Sequence, residues 1–344
     1  MKKFEHGGDI KSFAKELKCP ANEIIDLSSN INVIQPNCKV DFNTLSISAY
    51  PNYEKLYKKI AKHYGVNKNQ LELFNGGSSA IFTLFRHLGL KHCTIYSPAY
   101  LEYKKASVIY NYKLNLINRF QSKSSKIKKN SLVIFVNPST PDGQYYDIKK
   151  LLKLWKKKNC TVLIDESFLE FINKGSKASA VEFTKEYDKL YILKSMTKFY
   201  SSAGIRIGTL LSNKNNIEKL KAKEPMWKLS QFDMNYILSV IKDKAFVKKT
   251  IQTTKKNRQQ LNSALKKYTF IKKVYKSSAN YLLVELQDID ANALQEDLKT
   301  FKIMIRSCEN FDFLNKYHVR IAIKDKQSIK TLCDALDTII IKKD

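Results

Sequence analysis

The feature that most constrains the fold is an alternation of short apolar runs with helical stretches over residues 71–195. Polar turn residues bound each run, and the stretches between the runs carry apolar residues at helical spacing. Strands buried on both faces of a parallel sheet have such continuous apolar runs. The alternation therefore predicts an α/β domain with a mostly parallel sheet flanked by helices, and ligands at the carboxyl ends of its strands. The runs are LELF, CTIYS, SLVIFVN, TVLIDES and KLYILKS.

The pattern differs on both sides of this region. The first 45 residues are typical of an irregular arm with one short helix, and YEKLYKKIAKHYG (53–65) predicts a helix that ends at a glycine. Towards the C-terminus, a helical stretch predicted over residues 231–267 precedes further short strands and helices, which indicates a smaller α+β domain. We predict three units: an N-terminal arm (1–45) that packs with the small domain, a large cofactor-binding domain (46–230) and a small C-terminal domain (231–344).

The chain of 344 residues carries a formal net charge of +29, and nearly all of its basic residues are lysines. These lysines are spread along the chain in stretches such as KLWKKKN and TTKKNRQQ, which are typical of solvated helix faces. An RNP motif, zinc-finger spacing and a concentrated basic arm are absent from the sequence. We therefore expect neither a nucleic-acid partner nor a metal site.

Membrane and secretory signals are also absent from the sequence. No apolar run approaches the roughly 18 residues of a membrane-spanning helix, and MKKFEHGGDIKSF lacks the apolar region of a signal peptide. The six cysteines form no C-x-x-C pair and fit cytosolic thiols better than a disulfide framework. We expect a cytoplasmic protein without a membrane partner.

Residues capable of chemistry follow three of the predicted strands. The turn NGGSS (75–79) precedes a helix, and its glycines and the helix N-terminus favour an anion. Asp165 ends a strand, Lys198 lies among small residues that leave its amine accessible, and Arg206 follows eight positions later. Each feature alone has an ordinary explanation as a common turn, a helix cap or a surface residue. Together they provide the amine, acid, anion cradle and guanidinium group that a pyridoxal phosphate enzyme requires.

The stretch SMTKFYSSAGIRIG (195–208) resembles the S-x-T-K-x-x-x-x-x-G-x-R-x-G signature of the aspartate-aminotransferase superfamily, the class I and II aminotransferases, and DESFLEF resembles its D-E-[AS]-[FY] segment. The resemblance covers essentially the whole chain. It implies a seven-stranded type of large sheet, a smaller α+β domain and the cofactor pyridoxal 5'-phosphate. It also implies that Lys198 is the Schiff-base lysine, that Ser195 and Arg206 bind the cofactor phosphate, and that Asp165 pairs with the pyridine nitrogen.

Other segments extend the resemblance around the cofactor. NGGSS stands where the phosphate cradle stands, which implies contacts from Gly77 and Ser78, and SPAYLEY places Tyr100 where an aromatic ring stacks on the cofactor. AYPNYEKLYKKI resembles Y-P-x-x-x-x-x-L, whose tyrosine, here Tyr50, reaches the phosphate in the neighbouring subunit, so the resemblance implies a homodimer. NPSTPDG departs from N-P-x-N-P-T-G, because Thr140 replaces the asparagine that bonds the cofactor's phenolic oxygen.

Two branches of the superfamily remain open. HGGDI, DLSSNIN, PAYLEY and IMIRSCENFDFLN with HVRIAIK resemble segments of the threonine-phosphate decarboxylases of cobalamin synthesis, whereas histidinol-phosphate aminotransferases usually have N-E-N-P in place of N-I-N. The resemblance implies a substrate site lined by His6, Asn30, Arg306 and Arg320. Arg320 is expected to hold the substrate carboxylate, and the other three residues its phosphate.

Three departures bear on the exact substrate and on the cofactor's protonation. Phe168 stands where aminotransferases often have a tyrosine that bonds the phenolic oxygen, although the decarboxylase branch also has phenylalanine there. Val33 replaces the proline of N-I-N-P, and Asp9 replaces an asparagine. These changes leave the predicted fold intact.

The sequence thus predicts a decarboxylase of an O-phosphorylated amino acid, threonine phosphate or serine phosphate, that gives CO2 and a phosphorylated amino alcohol. The alternative is an aminotransferase of the histidinol-phosphate type. A third hypothesis, from another class, is a basic nucleic-acid-binding protein that retains an inactive enzyme fold. The intact Lys198, Asp165 and Arg206 argue against this third hypothesis.

Overall fold

The structure, a computed structural model, describes residues 7–124, 126–172 and 178–341. Its centre is a seven-stranded sheet of strand order β2-β8-β7-β6-β5-β3-β4. All neighbours pair in parallel except β8, which runs antiparallel to both β2 and β7. The strands are β2 (Leu71–Asn75), β3 (His92–Ser97), β4 (Lys113–Asn118), β5 (Leu132–Val136), β6 (Thr161–Asp165), β7 (Leu190–Ser195) and β8 (Ile207–Leu211). The predicted mostly parallel α/β sheet is therefore confirmed.

Helices cover both faces of this sheet. Alternate residues of each strand enter two separate cores: Ile134 and Leu163 pack on one face, and Val133 and Ile164 on the other. Because both faces are buried, the central strands consist of continuous apolar runs. The helices of this region are α2 (Glu54–Tyr64), α3 (Gly76–Leu88), α4 (Leu101–Ile109), α5 (Lys149–Lys157) and α6 (Lys214–Lys221).

A second, antiparallel sheet lies towards the C-terminus, in the order β12-β13-β10-β9. It packs with helices around a core of its own that includes Leu282, Leu298 and Leu336. The elements are β9 (Ile271–Val274), β10 (Tyr281–Leu286), α9 (Ala291–Lys299), β12 (Arg306–Ser307), β13 (His318–Ala322) and α10 (Lys326–Ile341).

The N-terminal segment contacts this second unit through backbone pairing. It contains α1 (Ile10–Glu16) and β1 (Ile25–Asp26), and β1 pairs in parallel with β11 (Ile303–Met304). The side chain of Asp9 caps α1 by accepting a hydrogen bond from the Ser12 N–H at 3.2 Å. The backbone of the arm therefore pairs with β11, and the assignment of the arm as a unit that packs with a small domain stays a prediction.

The helical stretch predicted over residues 231–267 is divided in the structure. It forms α7 (Gln231–Val240) and α8 (Lys244–Leu265), and Asp243 caps α8 by accepting a hydrogen bond from the Phe246 N–H at 2.8 Å. A side-chain cap satisfies a backbone donor that a continuous helix would have bonded internally, so the new helix starts there. Phe246 packs in the core of the large sheet and Leu261 in that of the small sheet, so α8 joins the two cores. The domain boundary at residues 230 and 231 stays a prediction.

Within the described part of the chain, no helix has the length and apolar character needed to cross a membrane.

Candidate active site

The site is built at the carboxyl ends of neighbouring strands of the large sheet. Asp165 is the last residue of β6 and Ser195 the last of β7, and these strands are parallel neighbours. The turn from β2 into α3 begins at Gly76, and Lys198 follows β7 by three residues. Because parallel strands end at the same edge of a sheet, chain segments far apart in sequence meet there.

An anion cradle forms where α3 begins. Gly76 has φ +79°, and a Cβ atom on it would lie 2.4 Å from Nη2 of Arg206. A Cβ atom on Gly208 would lie 2.5 Å from the carbonyl carbon of Gly76. Both glycines are therefore required for β8 and the Arg206 guanidinium group to approach the turn. A Cβ on Gly77, the glycine chosen from the sequence, would meet Ser195 at an ordinary 3.7 Å.

Arg206 is held beside this turn by contacts with its own loop and with α7. Its Nη1 donates to the Ala203 carbonyl at 3.3 Å and to Thr197 Oγ1 at 3.5 Å, and its backbone N–H donates to Asp233 Oδ1 at 2.7 Å. The guanidinium group, the N-terminus of α3 and the Ser78 hydroxyl together suit a phosphate group.

Asp165 is a buried carboxylate with strong hydrogen-bond donors around it, and it is 5% exposed. Its Oδ1 accepts from the Ser167 N–H at 2.9 Å and from the Ser167 hydroxyl at 2.5 Å. Its Oδ2 accepts from the Tyr103 hydroxyl at 2.6 Å. Sequence analysis missed Tyr103, although it lies within the quoted PAYLEY segment. An ionised carboxylate held in this way is suited to pair with a protonated ring nitrogen.

Lys198 lies within electrostatic reach of the groups predicted to surround it. Burial lowers the pKa of its amine, and the guanidinium groups of Arg206 and Arg320 lower it further, while Asp165 opposes the shift. Its carbonyl oxygen accepts from the backbone N–H of Asn32 at 3.0 Å. A lowered amine pKa increases the neutral fraction, which is the nucleophilic form.

Tyr100 lies immediately before α4 and faces the cradle. Its hydroxyl lies 3.3 Å from the Ser78 hydroxyl, and its ring meets the Tyr103 ring edge to face with 6.2 Å between centroids. Burial raises the pKa of the Tyr100 hydroxyl. The structure thus brings together the predicted cradle residue Ser78 and the predicted stacking residue Tyr100.

Two arginines from the small sheet complete one side of the site. Arg306 on β12 and Arg320 on β13 are opposite each other in the antiparallel register. Nη2 of Arg320 donates to the Ser28 carbonyl at 2.9 Å, and its Nη1 lies 3.4 Å from Thr140 Oγ1. Burial and the neighbouring Arg320 lower the pKa of Arg306 to about 10. Like charges directly opposite on adjacent strands repel, so an anion between them is stabilising.

Unsatisfied polar atoms lie at the same place. Among the described residues, Nε of Arg320 and Oδ1 of Asn30 are buried and have no hydrogen-bond partner. Buried polar atoms without partners are costly, and a bound polar ligand removes that cost. A cavity of about 1210 Å³ adjoins this region, with Ser28 and Arg306 in its wall and α4 and α9 on its other sides.

Thr140 lies beside one of the predicted substrate residues. Its hydroxyl faces Arg320, and the Tyr281 hydroxyl beside it donates to the Ser139 carbonyl at 2.8 Å. The Phe168 ring packs edge to face on Tyr281, with 5.0 Å between centroids. Thr140 thus lies next to Arg320, and its place at the phenolic oxygen of the cofactor stays a prediction.

Two predicted residues remain outside this group. Tyr50 is 73% exposed, and its ring stacks on Trp227 with 4.1 Å between centroids. An exposed position agrees with a role across a subunit interface and does not test it. His6 lies outside the described residues.

The residues fit pyridoxal 5'-phosphate. The glycine cradle beside Arg206 suits the phosphate, Asp165 suits the ring nitrogen and Lys198 suits the aldehyde, while the unsatisfied Nε of Arg320 suits a substrate anion.

Comparison with known proteins agrees with this assignment. The family "Aminotransferase class I and II" matches residues 21–336. A protein of Caldanaerobacter subterraneus subsp. tengcongensis named "Putative threonine-phosphate decarboxylase" is 29% identical over 98% of this chain and 94% of its own. A histidinol-phosphate aminotransferase of Methanocaldococcus jannaschii is 25% identical over 99% of this chain and 95% of its own.

The fold is shared with solved structures as well. The crystal structure of histidinol-phosphate aminotransferase from Clostridium acetobutylicum superposes with a TM-score of 0.80 at 28% identity, covering 91% of this chain and 98% of that one. The predicted superfamily, fold and cofactor are confirmed. This chain belongs to the class I and II aminotransferases, a family of enzymes that depend on pyridoxal 5'-phosphate.

Proposed function

We propose that this chain is a pyridoxal phosphate-dependent decarboxylase of an O-phosphorylated amino acid, with threonine phosphate or serine phosphate as substrate. The products are CO2 and a phosphorylated amino alcohol. The proposal depends above all on one observation: Arg320 lies within electrostatic reach of Lys198 and opposite Arg306 on the neighbouring strand.

This pair supports a substrate with two anionic ends. Both arginines have pKa values lowered by burial, so each charge lies in a poorly hydrated place. An anion bound near two buried guanidinium groups in register relieves their mutual repulsion. A phosphorylated amino acid supplies a carboxylate and a phosphate, and guanidinium groups bind both kinds of anion through paired hydrogen bonds.

Each residue has a distinct part in the proposed reaction. Arg320 binds the substrate carboxylate, while Arg306 and Asn30, with His6, bind the phosphate and thereby orient the Cα–carboxylate bond. When bound, the cofactor withdraws electrons from the bond that breaks at Cα. Lys198, in its ammonium form, or a water molecule supplies the proton that replaces CO2 at Cα. Because its surroundings lower the pKa of Lys198, the ammonium form gives up this proton more readily than an exposed lysine would.

The cofactor itself is held by residues of the large domain in this proposal. Ser195, Ser78, Gly77 and Arg206 bind its phosphate, and Asp165 keeps its ring nitrogen protonated. Tyr100 stacks on the ring, and Thr140 lies beside the phenolic oxygen. The buried carboxylate and the glycine cradle support these roles.

A homodimer completes the proposed site. Tyr50 and Trp227 form a stacked and largely exposed aromatic pair, and Ile47 and Met226 nearby in sequence are exposed too. Exposed apolar groups of this kind are typical of subunit interfaces. In the proposed dimer, Tyr50 reaches the cofactor phosphate of the partner subunit.

An aminotransferase of the histidinol-phosphate type is the second candidate. The relatives with that name, at 25% identity over nearly the whole chain, favour it. The same residues serve both reactions, and the difference lies in which Cα bond is held perpendicular to the ring. In an aminotransferase that bond is Cα–H, and Lys198 moves the proton.

The test is to incubate the purified protein, loaded with cofactor, with threonine phosphate and serine phosphate separately in the absence of a keto acid. Repeated release of CO2 and phosphorylated amine supports the decarboxylase and ranks the two substrates. The Lys198→Ala variant is the control and should release none. Absence of CO2 together with conversion of the cofactor to its amine form by histidinol phosphate would reject the decarboxylase in favour of the aminotransferase.

A further inference from the structure

The carboxylate of Asp165 is held by two neighbours that differ in distance along the chain. Ser167, two residues away, occupies Oδ1 with its N–H and its hydroxyl. Tyr103, 62 residues away, donates its hydroxyl to Oδ2 at 2.6 Å. Of these two contacts, the one with Tyr103 connects the Asp165 carboxylate to another element, the helix α4. The contact with Ser167 is local.

Tyr103 is fixed more firmly than a surface tyrosine could be. Its side chain is 0% exposed, its ring contacts the Tyr100 ring edge to face, and its carbonyl accepts from the Ser107 hydroxyl at 2.8 Å. Burial raises the pKa of the Tyr103 hydroxyl well above its usual range, and the negative charge of Asp165 adds to this effect. The hydroxyl therefore stays protonated and remains a donor throughout the working pH range.

The spacing of the two tyrosines couples two parts of the site. Tyr100 lies immediately before α4 and Tyr103 lies in its first turn, and the two rings meet edge to face. Tyr100 faces the cradle through Ser78. One short segment thus carries both the ring predicted to stack on the cofactor and the hydroxyl that holds Asp165.

We infer that Tyr103 is a positioning residue, whose hydroxyl orients the Asp165 carboxylate towards the ring nitrogen of the cofactor. The inference rests on the proposed role of Asp165. Ser167 alone would leave Oδ2 without a donor among the described residues and the carboxylate free to turn about its Cβ–Cγ bond. Hydrogen bonds to charged groups are among the stronger ones in proteins, and their loss weakens whatever the charged group binds.

The test compares two cofactors that differ only at the ring nitrogen. Dissociation constants are measured for pyridoxal 5'-phosphate and for its analogue with C–H in place of the ring nitrogen. In the unaltered protein, the natural cofactor should bind more tightly than the analogue. Tyr103→Phe keeps the packed ring and removes the hydroxyl, and it should reduce this preference about tenfold with little change in affinity for the analogue.

Tyr112→Phe is the matched control. Tyr112 is also a buried tyrosine, and its hydroxyl donates to the Phe85 carbonyl at 2.8 Å, within a different core contact. This variant should leave the preference between the two cofactors unchanged. Thermal unfolding of both variants without cofactor reports any general loss of stability separately.

Two results would overturn the inference. If Tyr103→Phe weakens the binding of both cofactors equally, the hydroxyl supports only the fold. If the preference is unchanged, Asp165 is oriented without Tyr103. An Asp165→Ala variant separates these results from a failure of the proposed site: it should abolish the preference, and a preference that survives would instead reject Asp165 as the partner of the ring nitrogen.

Discussion

At the scale of single residues, the site concentrates positive charge around one reactive amine. Lys198 lies within electrostatic reach of Arg206 and Arg320, with Asp165 as the opposing acid. In such surroundings the ammonium form is disfavoured twice, first by lost hydration and then by repulsion. The amine is therefore poised for reaction with an aldehyde at a pH where an exposed lysine is protonated.

Replacing Arg320 should change the pKa of the Lys198 amine in a measurable direction. Because Arg320 lowers the pKa of Lys198, Arg320→Gln should raise that pKa, and the pH midpoint for covalent attachment of pyridoxal phosphate should rise with it. The attachment rate is followed by absorbance across a pH series. Arg86→Gln, which removes an exposed guanidinium group paired with Glu224, is the control and should not move the midpoint. A midpoint that stays or falls in Arg320→Gln would contradict the electrostatic explanation.

At the scale of elements, the cradle depends on how closely β8 approaches the turn before α3. Gly208 pairs with Phe74 on β2 and with Ser195 on β7, so it lies between the strands that flank the cradle. The close approach of its Cα to Gly76 leaves no space for a side chain. Sheet geometry and phosphate recognition therefore impose the same requirement on this position.

A methyl group at position 208 should disturb both the sheet geometry and the recognition of phosphate. Gly208→Ala should lower the free energy of unfolding by about 1–3 kcal/mol through overpacking, and it should also weaken binding of pyridoxal phosphate. Gly204→Ala, in the loop before β8 and with open space around it, is the control and should change neither quantity markedly. Denaturant unfolding and cofactor titration measure the two effects. Unchanged cofactor affinity in Gly208→Ala would show that the cradle tolerates the added methyl group.

The C-terminal helix offers a test of pH dependence. Asp325 accepts hydrogen bonds from the Ser328 N–H and hydroxyl, both at 2.9 Å, at the start of α10. Burial acts to raise the pKa of Asp325, but these bonds outweigh it and the pKa is lowered. A lowered pKa means that the charged cap stabilises the fold above the unfolded-state pKa, and that this stabilisation is lost as pH falls through the folded-state pKa.

Asp325→Ala should therefore lower the free energy of unfolding by about 1 kcal/mol at neutral pH. The difference in this free energy between the variant and the unaltered protein should narrow at acid pH. Asp325→Asn keeps a capping oxygen without the charge, so it should lower the free energy of unfolding by less than Asp325→Ala does at neutral pH. Urea unfolding at neutral pH and at acid pH measures both variants. A difference that stays constant across this pH range would exclude the charged cap as its cause.

At the scale of the whole molecule, the N-terminal arm links the two sheets at the site. The Asn32 N–H donates to the Lys198 carbonyl at 3.0 Å, and Asn280 Nδ2 donates to the Asn30 carbonyl at 2.8 Å. Arg320 donates to the Ser28 carbonyl within the same segment. The substrate side of the site is thus assembled from the arm, the large sheet and the small sheet, and a homodimer is proposed to add Tyr50.

A mixing experiment tests the shared site. Tyr50→Ala and Lys198→Ala should each have little activity alone. If Tyr50 acts on the partner's site, a mixed dimer contains one site with both native residues, and random exchange of subunits should restore about a quarter of the native activity. The control mixes Lys198→Ala with Trp227→Ala, once with and once without subunit exchange. It measures how far a change at the interface by itself alters activity. No recovery in exchanged dimers would mean that Tyr50 does not act across the interface.

The sequence alone determined the parallel sheet and the approximate place of its ligands. Apolar runs such as SLVIFVN require burial on both faces, and a parallel sheet brings the ends of its strands to one edge. Asp165 and Lys198 could therefore be assigned to a common site from local pattern, and the signature around Arg206 predicted its place beside the cradle. The structure brings these groups within electrostatic reach of one another.

Only the tertiary structure decided the contacts that depend on register and long-range packing. The register of β12 and β13 opposes Arg306 to Arg320, and the packing of α4 on the sheet brings the Tyr103 hydroxyl to Asp165. The break between α7 and α8 also escaped the sequence pattern. A local pattern reports which face of an element is buried, whereas these contacts depend on how separate elements are placed relative to one another. That placement is set by the packing of the whole core.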